Sequence, residues 1–170
     1  MLFFRARQRG RFSGTAGGMA DWSGEIRRAE AGDIEDVAAL AADLALSFEF
    51  SRQRFQASYP ALLAADDACL LLAVAGGEVA GYLLGFRHLT FYANGPVAWV
   101  EEVVVRGRDR RRGIGQVLMN AFEEWSVSQG CSLVALATRR AAPFYLSLGY
   151  EESAMYFRKV LAGQVLTGQV

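Results

Sequence analysis

WVEEVVVRGRDRRRGIGQVLMNA, residues 99–121, changes its apolar spacing midway, and that change sets the reading of the whole chain. It opens as an apolar run interrupted by Glu101 and Glu102 and closed by Val103, Val104 and Val105. Branching at Cβ suits a pleated surface, so the run predicts a strand. Residues 106–113 are basic and flanked by glycine, which predicts a turn. From Ile114 the apolar residues Val117, Leu118, Ala121, Phe122 and Trp125 recur at threes and fours, the spacing of one helical face. Gly113 and Gly115 let the backbone approach a ligand closely, and the first N–H groups of a helix lack partners within it. With the helix dipole and neighbouring arginines added, the turn is suited to a phosphate or pyrophosphate.

The turn has neither the Gly-Lys-Ser/Thr ending of a nucleoside triphosphate loop nor a Gly-x-Gly-x-x-Gly run. At 170 residues and 52% hydrophobic, the chain is sized for one domain with a sizeable core. Its formal charge is zero but uneven. Arg5, Arg7, Arg9 and Arg11 precede the first acid, Asp21, so the remainder holds 14 basic residues (18 minus 4) against 18 acidic ones. A mildly acidic body argues against a nucleic-acid surface. No aromatic residue interrupts Arg106, Arg108, Arg110, Arg111 and Arg112 to stack bases, and some of these arginines are expected to form a solvated face. Cys69 and Cys131 sit singly in apolar runs without metal spacing, so both read as buried reduced thiols and no metal is expected. Apolar runs fall short of a membrane span, and the expected location is the cytoplasm.

In chain order, residues 1–24 hold Arg, Gly and Ser with little periodicity and read as a flexible extension. Met19 is a second candidate start, and a chain beginning there is expected to keep its melting temperature and turnover. A strand is expected at 25–29, then a helix capped by Asp33 and running to about Leu46. An aromatic-rich helical region follows at 48–65. Strands at 69–75 and 79–88 are joined by the hairpin signal Gly76-Gly77, and Ala93-Asn94-Gly95-Pro96 turns the chain back into the Glu-bearing strand. After the helix at 114–128 come a strand at 131–137, a short helix at 139–148, a last strand at 153–161 and a tail at 162–170. This order describes an α/β domain over 25–161, with a mixed, mostly antiparallel sheet and helices on both faces. His88, the single histidine, reads as a strand-end side chain, with a proton acceptor near substrate as the sharper alternative.

Arg110-Arg111-Arg112-Gly113-Ile114-Gly115 resembles the acyl-CoA loop of the GNAT superfamily of N-acyltransferases, Gln/Arg-x-x-Gly-x-Gly/Ala. A second match follows at residues 138–150, TRRAAPFYLSLGY, which resembles the family's closing motif, Asn-x-x-Ala-x-x-Phe-Tyr-x-x-x-Gly-Phe. Ala141, Phe144, Tyr145 and Gly149 match in place, and Tyr150 stands for Phe. Thr138 departs from the Asn that commonly contacts the pantetheine arm. The resemblance implies a sheet splayed between the Glu-bearing strand and the strand at 131–137, with pantetheine in the gap. It implies acetyl-CoA as co-substrate, held by Val103, Val104 and Val105, by Arg110, Arg111, Arg112, Gly113, Ile114 and Gly115, and by Thr138, Ala141 and Phe144.

The resemblance also gives Tyr145 the role of general acid toward the leaving thiolate. A base must take the amine's proton, and Glu101 and Glu102 are the two candidates. Successive strand residues face opposite sides, so only one faces the cleft directly. Glu102 ranks slightly ahead because it directly precedes Val103; the other reading for one of the pair is an ion pair with an arginine such as Arg87. The implied activity is direct acetyl transfer to a primary amine of a small molecule, protein N-terminus or lysine. Acids at the cleft suit a cationic acceptor, no nucleic-acid or membrane partner is expected, and homodimers are common in the family. Two other classes stand as alternatives: an inactive acyl-CoA-binding regulatory module and a basic-loop RNA-binding protein. Acetyl-CoA turnover separates the first, and salt-sensitive affinity the second.

Overall fold

The computed structural model describes residues 22–44 and 49–161. The expectations for residues 1–21, for the stretch holding Leu46 and Phe48, and for the tail at 162–170 lie outside the described residues.

The elements run β1 (Glu25–Arg28), α1 (Ile34–Leu44), α2 (Arg52–Ala64), β2 (Ala68–Ala75), β3 (Glu78–Thr90) and β4 (Gly95–Val105). They continue through α3 (Ile114–Ser128), β5 (Val134–Leu136) and α4 (Ala142–Ser147). The sheet order is β1-β2-β3-β4-β5; every neighbouring pair is antiparallel except β4 and β5, which the α3 crossover makes parallel. The mixed sheet expected from the order of hairpins and helices is therefore present.

β2 shows why the two faces differ. Cys69, Leu71 and Ala73 point into a core with α3, through Leu118, Met119 and Phe122. Leu70 and Leu72 alternate to the other face and meet Val37, Leu40 and Tyr59 from α1 and α2. Such a strand is covered on both sides, and its sequence reads as an unbroken apolar run. Each fully buried Leu or Phe contributes about 1.5–3 kcal/mol, so the two layers together supply most of the driving force.

The start of α1 differs from the expected cap. A 3₁₀ turn at Ala31–Asp33 comes first, and Glu30 is its N-cap. Asp33 accepts from the Glu30 backbone N–H at 2.7 Å and from two guanidinium nitrogens of Arg27, each at 2.7 Å. Those bonds from Arg27 hold its carboxyl below the ordinary aspartate range. The Tyr59 hydroxyl donates to the Glu30 carbonyl at 2.7 Å, tying α2 to the same turn, and burial pushes its pKa up to about 12.

Three later expectations are corrected. The strand at 131–137 shrinks to Val134–Leu136, because the preceding residues bond to the β3–β4 hairpin instead: Ser132 N–H donates to the Pro96 carbonyl and its hydroxyl to the Ala93 carbonyl. Helix α4 starts at Ala142 rather than 139, with Pro143 in its first turn, where a missing N–H costs nothing. Residues 153–161 form no strand among the described residues, and 151–159 are all exposed. An extended segment is a strand only when a neighbour receives its N–H and C=O groups. Cys69 is fully buried as expected, whereas Cys131 is half-buried, and both are free thiols. No helix among the described residues is long and apolar enough to cross a membrane.

Candidate active site at the open end of β4

The site is built around a β-bulge. Leu84 of β3 faces Glu102, and the next residue, Gly85, faces Val100, so Glu101 is an extra residue without a partner on β3. Bulges re-aim side chains and cluster beside active sites. Here Ala98 and Val100 lie in the α3-side core before the bulge, and Val103 packs against that core after it. Glu102 and Val104 turn to the α1 side, where Val104 is buried beside Tyr82 and Leu84. The simple alternation expected for the two acids therefore fails at the bulge. Glu101 is exposed, while Glu102 is half-buried and accepts a hydrogen bond from the Tyr82 hydroxyl at 2.7 Å.

Burial raises the Glu102 pKa, the Tyr82 hydrogen bond works against that rise, and nearby Glu101 adds to it. Tyr82 itself is pushed far up by burial, then by the Glu102 charge, so it stays a donor. Among the described residues neither acid forms an ion pair, and the Arg87 pairing is not seen; the Arg87 Nε is buried without a partner. His88 is exposed, four positions along β3 from the residue that faces Glu102.

Beyond the bulge, β4 loses its other neighbour. β5 pairs with Ala98, Trp99 and Val100, and among the described residues 101–105 have no strand on that side. β5 itself ends there, Leu136 opposite Val100, at the place where the family resemblance implies a splay. The basic loop follows β4. Arg106 and Arg108 are both engaged by the Glu78 carboxylate, which makes them part of a charged outer face. The Arg110 Nε donates to the Val105 carbonyl at 3.0 Å, and Arg112 pairs with Asp109 at 3.2 Å. Arg111, at a left-handed φ of 63°, has no hydrogen bond or ion pair among the described residues. For a side chain with a Cβ that conformation costs about 1–2 kcal/mol.

Gly113 caps α3 at φ 79°, a conformation that favours glycine, and no side chain occupies the cap. The first turn of α3 carries no acid, so its N–H groups and dipole face outward uncompensated. The Ile114 side chain is fully buried, which leaves only its backbone N–H available to a ligand. A Cβ on Gly115 would stand 3.1 Å from Cζ of Phe144, so α4 closes directly over the start of α3.

α4 carries the second motif. The Phe144 and Tyr145 rings meet edge-on at 4.9 Å, and Tyr145 meets Tyr150 edge-on at 5.9 Å. Tyr150 is in turn fixed to α3 by donating to Glu123 at 2.8 Å. Burial raises the Tyr145 pKa, and its hydroxyl has no hydrogen-bond partner among the described residues. Thr138 accepts from the Ala141 N–H at 3.1 Å, so its hydroxyl holds the turn into α4. The start of α3, the 101–105 stretch of β4, the half-buried Glu102 carboxylate and the Tyr145 phenol are thus the groups that the fold leaves for chemistry.

Residues 34–150 match the acetyltransferase (GNAT) family. The chain belongs to that family. Aminoglycoside N(6')-acetyltransferase type 1 of Klebsiella aerogenes is 35% identical over 109 residues, 57% of this chain and 70% of that protein. An acetyltransferase of Trypanosoma brucei superposes with a TM-score of 0.71 at 24% identity, over 82% of this chain and 100% of its own. AAC(6')-Iy, solved with the bisubstrate analogue CoA-S-monomethyl-acetylneamine, gives 0.69 at 22% identity, over 81% and 99%. The GNAT fold accounts for the parallel β4–β5 pair, which ends at Val100. The GNAT motifs in the sequence pick out the loop and α4, but not Tyr82: its contact with Glu102 depends on strand register and a bulge, which no local pattern prints.

Proposed function

We propose that this chain transfers the acetyl group of acetyl-CoA to a primary amine of a cationic small molecule, with the 6' amine of an aminoglycoside as favoured acceptor. The observation that carries the acceptor class is the pair of carboxylates at the β4 bulge, Glu101 exposed and Glu102 half-buried behind it. Such a pair attracts a polycation and offers its amine a base. The aminoglycoside acetyltransferase relative agrees with that chemistry.

Acetyl-CoA supplies an activated acyl carbonyl and a thiol leaving group. The residues present fit it: the uncompensated N-terminus of α3, entered through Gly113, suits a pyrophosphate, with Arg111 beside it as an unengaged cation. The free backbone edge of Val103, Val104 and Val105 offers N–H and C=O groups to an extended amide arm. Arg110, Arg112 and Thr138 act one step back, since each is already bonded within the chain. Ala141 and Phe144 line the α4 side. Glu101 holds the cation, Glu102 takes a proton from the amine nitrogen, and Tyr145 holds a proton for the departing sulfur. Transfer is read as direct: Cys69 is fully buried with its thiol pushed up to about 12, and burial also raises the thiol of the half-buried Cys131.

A panel of aminoglycosides, polyamines, amino acids and peptides, assayed for release of CoA thiol, tests the reading. Aminoglycosides are expected to give the highest kcat/KM. A preference for peptides overturns the acceptor class, and CoA binding without turnover of any amine identifies a regulatory module instead. The loop has its own test. Gly115→Glu adds a charge and a Cβ against Phe144, and is expected to weaken acetyl-CoA by about tenfold or more, or about 1.4 kcal/mol. Unchanged binding by calorimetry, in a folded variant, removes the loop from the cofactor site.

A further inference from the structure

Helix α4 carries Tyr145, yet it spans only Ala142–Ser147, six residues, and none of them is fully buried. A helix that short does not hold its shape alone in water. Pro143 stands in its first turn, and no side chain caps its start. Where the Tyr145 hydroxyl sits is therefore decided by what fastens α4 to the rest of the chain.

The C-terminal end of α4 is closed by two backbone bonds. Gly149, at a left-handed φ of 89°, donates its N–H to the Leu146 carbonyl at 3.1 Å. The Tyr150 N–H donates to the Tyr145 carbonyl, also at 3.1 Å. This pair of bonds is the Schellman cap, often completed by an apolar contact between the residue after the glycine and the helix. Here that contact is the Tyr150 ring, edge-on to Tyr145 at 5.9 Å. Backbone and ring both join Tyr145 to Tyr150, so whatever fixes Tyr150 fixes Tyr145.

Tyr150 is fixed by its hydroxyl, which donates to Oε1 of Glu123 on α3 at 2.8 Å. Among the described residues this is the one side-chain hydrogen bond from 138–150 to the rest of the chain; Thr138 and Ser147 bond within the segment. A bond to a carboxylate is charge-assisted and stronger than a neutral one. Burial pushes the Tyr150 pKa well up and the Glu123 carboxylate adds to that, so the hydroxyl stays a donor. The remaining contacts are apolar: Phe144 over Gly115, and Tyr145, Leu148 and Tyr150 against the α3-side core. Apolar burial has no preferred direction, whereas a hydrogen bond fixes a register. The GNAT closing motif has Phe where this chain has Tyr150, so the hydroxyl is added to a ring that the family shares.

We propose that Tyr150 is a positioning residue, a role that rests on the reading of Tyr145 as general acid: its hydroxyl, latched to Glu123, sets α4 against α3 so that the Tyr145 phenol meets the departing sulfur. Tyr150 transfers no proton, and Glu123 touches neither the acceptor nor acetyl-CoA. α3 then serves both ends of the reaction, the pyrophosphate at its first turn and the proton donor through Glu123. Its own place is firm, since Ile114, Leu118, Met119, Phe122 and Trp125 are buried along it. A reacting group misplaced by about 1 Å can cost about 10²-fold in rate, so a single anchor on a six-residue helix matters.

Tyr150→Phe removes the hydroxyl and keeps the ring, so it is expected to fold. Release of CoA thiol, from acetyl-CoA and whichever amine of the panel turns over fastest, reads the effect. The expected kcat is lower by about tenfold, with acceptor KM within about twofold of wild type. Glu123→Ala is expected to match it, and Glu123→Gln, which keeps an acceptor oxygen, to recover most of the rate. In a Tyr145→Phe background Tyr150→Phe is expected to cost nothing further, because the group it positions has gone. Hydrogen exchange of the amides at 144–150 is expected to quicken in Tyr150→Phe while α3 keeps its protection. A severe loss in Tyr145→Phe beside a near-wild-type rate in Tyr150→Phe overturns the latch and leaves the general acid standing. A Tyr145→Phe rate within about twofold of wild type overturns the general acid, and the latch with it. An equal loss from Tyr150→Phe in both backgrounds, or unchanged exchange at 144–150, also overturns the latch and makes the hydroxyl a support of the fold.

Discussion

Replacing Tyr145 by phenylalanine is expected to lower the maximal rate by about 10²–10⁴-fold, the usual contribution of a positioned general acid. The ring contacts that hold this side chain, at 4.9 Å to Phe144 and 5.9 Å to Tyr150, involve only the ring, so the variant keeps them. Among the described residues nothing hydrogen-bonds the hydroxyl, so its removal strands no protein group and stability should move by less than about 0.5 kcal/mol. Acceptor KM should change little, because the lost interaction belongs to the transition state. A pH profile separates proton donation from packing. Burial raises the Tyr145 pKa, so the phenol is protonated at neutral pH and its contribution fades only as pH climbs through that raised value. Wild-type kcat should therefore show an alkaline limb that Tyr145→Phe lacks. A variant rate within about twofold of wild type makes Tyr145 a packing residue and leaves protonation to water.

What the sequence disclosed follows the range of the interactions involved. Residues 106–113 as a turn and 114–128 as a helix were legible because glycine, charge and apolar spacing act within a few positions, and α3 begins and ends where that spacing does. The Gly76-Gly77 hairpin was legible for the same reason; both residues have positive φ and join Ala75 to Glu78. The bulge at Glu101 was not, since a bulge exists only between two strands, and nothing around Glu101 says that β3 will skip it. β5 was overread for a related cause: an apolar run marks what is able to pair, while the hairpin contacts of Ser132 decided what does. The segment at 153–161 has a strand's alternation but is not part of the sheet formed by the described residues. Among the site residues, the motif positions came from resemblance, whereas the division between an exposed Glu101 and a half-buried Glu102 came only from the fold.

That division gives the second large expected effect. Glu102→Gln keeps the shape of the side chain and an oxygen to accept from Tyr82, but removes the base, so the maximal rate should fall by about 10²–10⁴-fold. Glu101→Gln, on an exposed carboxylate, should act mainly on acceptor KM. Tyr82→Phe then tests the link between the two side chains. The Tyr82 hydroxyl donates to the charged form of Glu102 and so opposes the upward shift that burial imposes. Without that donor the Glu102 pKa moves further up. A base works only when deprotonated, so kcat/KM falls as pH drops through its pKa, and the acidic limb should lie at higher pH in Tyr82→Phe than in wild type. Any limb due to the substrate amine is the same in both proteins and cancels in the comparison. Removing a donor from a half-buried carboxylate should also lower stability by about 1–3 kcal/mol, visible as a lower melting temperature. Glu102→Gln with a rate within about twofold of wild type would remove Glu102 as the base. A severe loss in Glu102→Gln beside an unmoved limb in Tyr82→Phe would instead keep the base and reduce Tyr82 to a packing residue of the α1-side core.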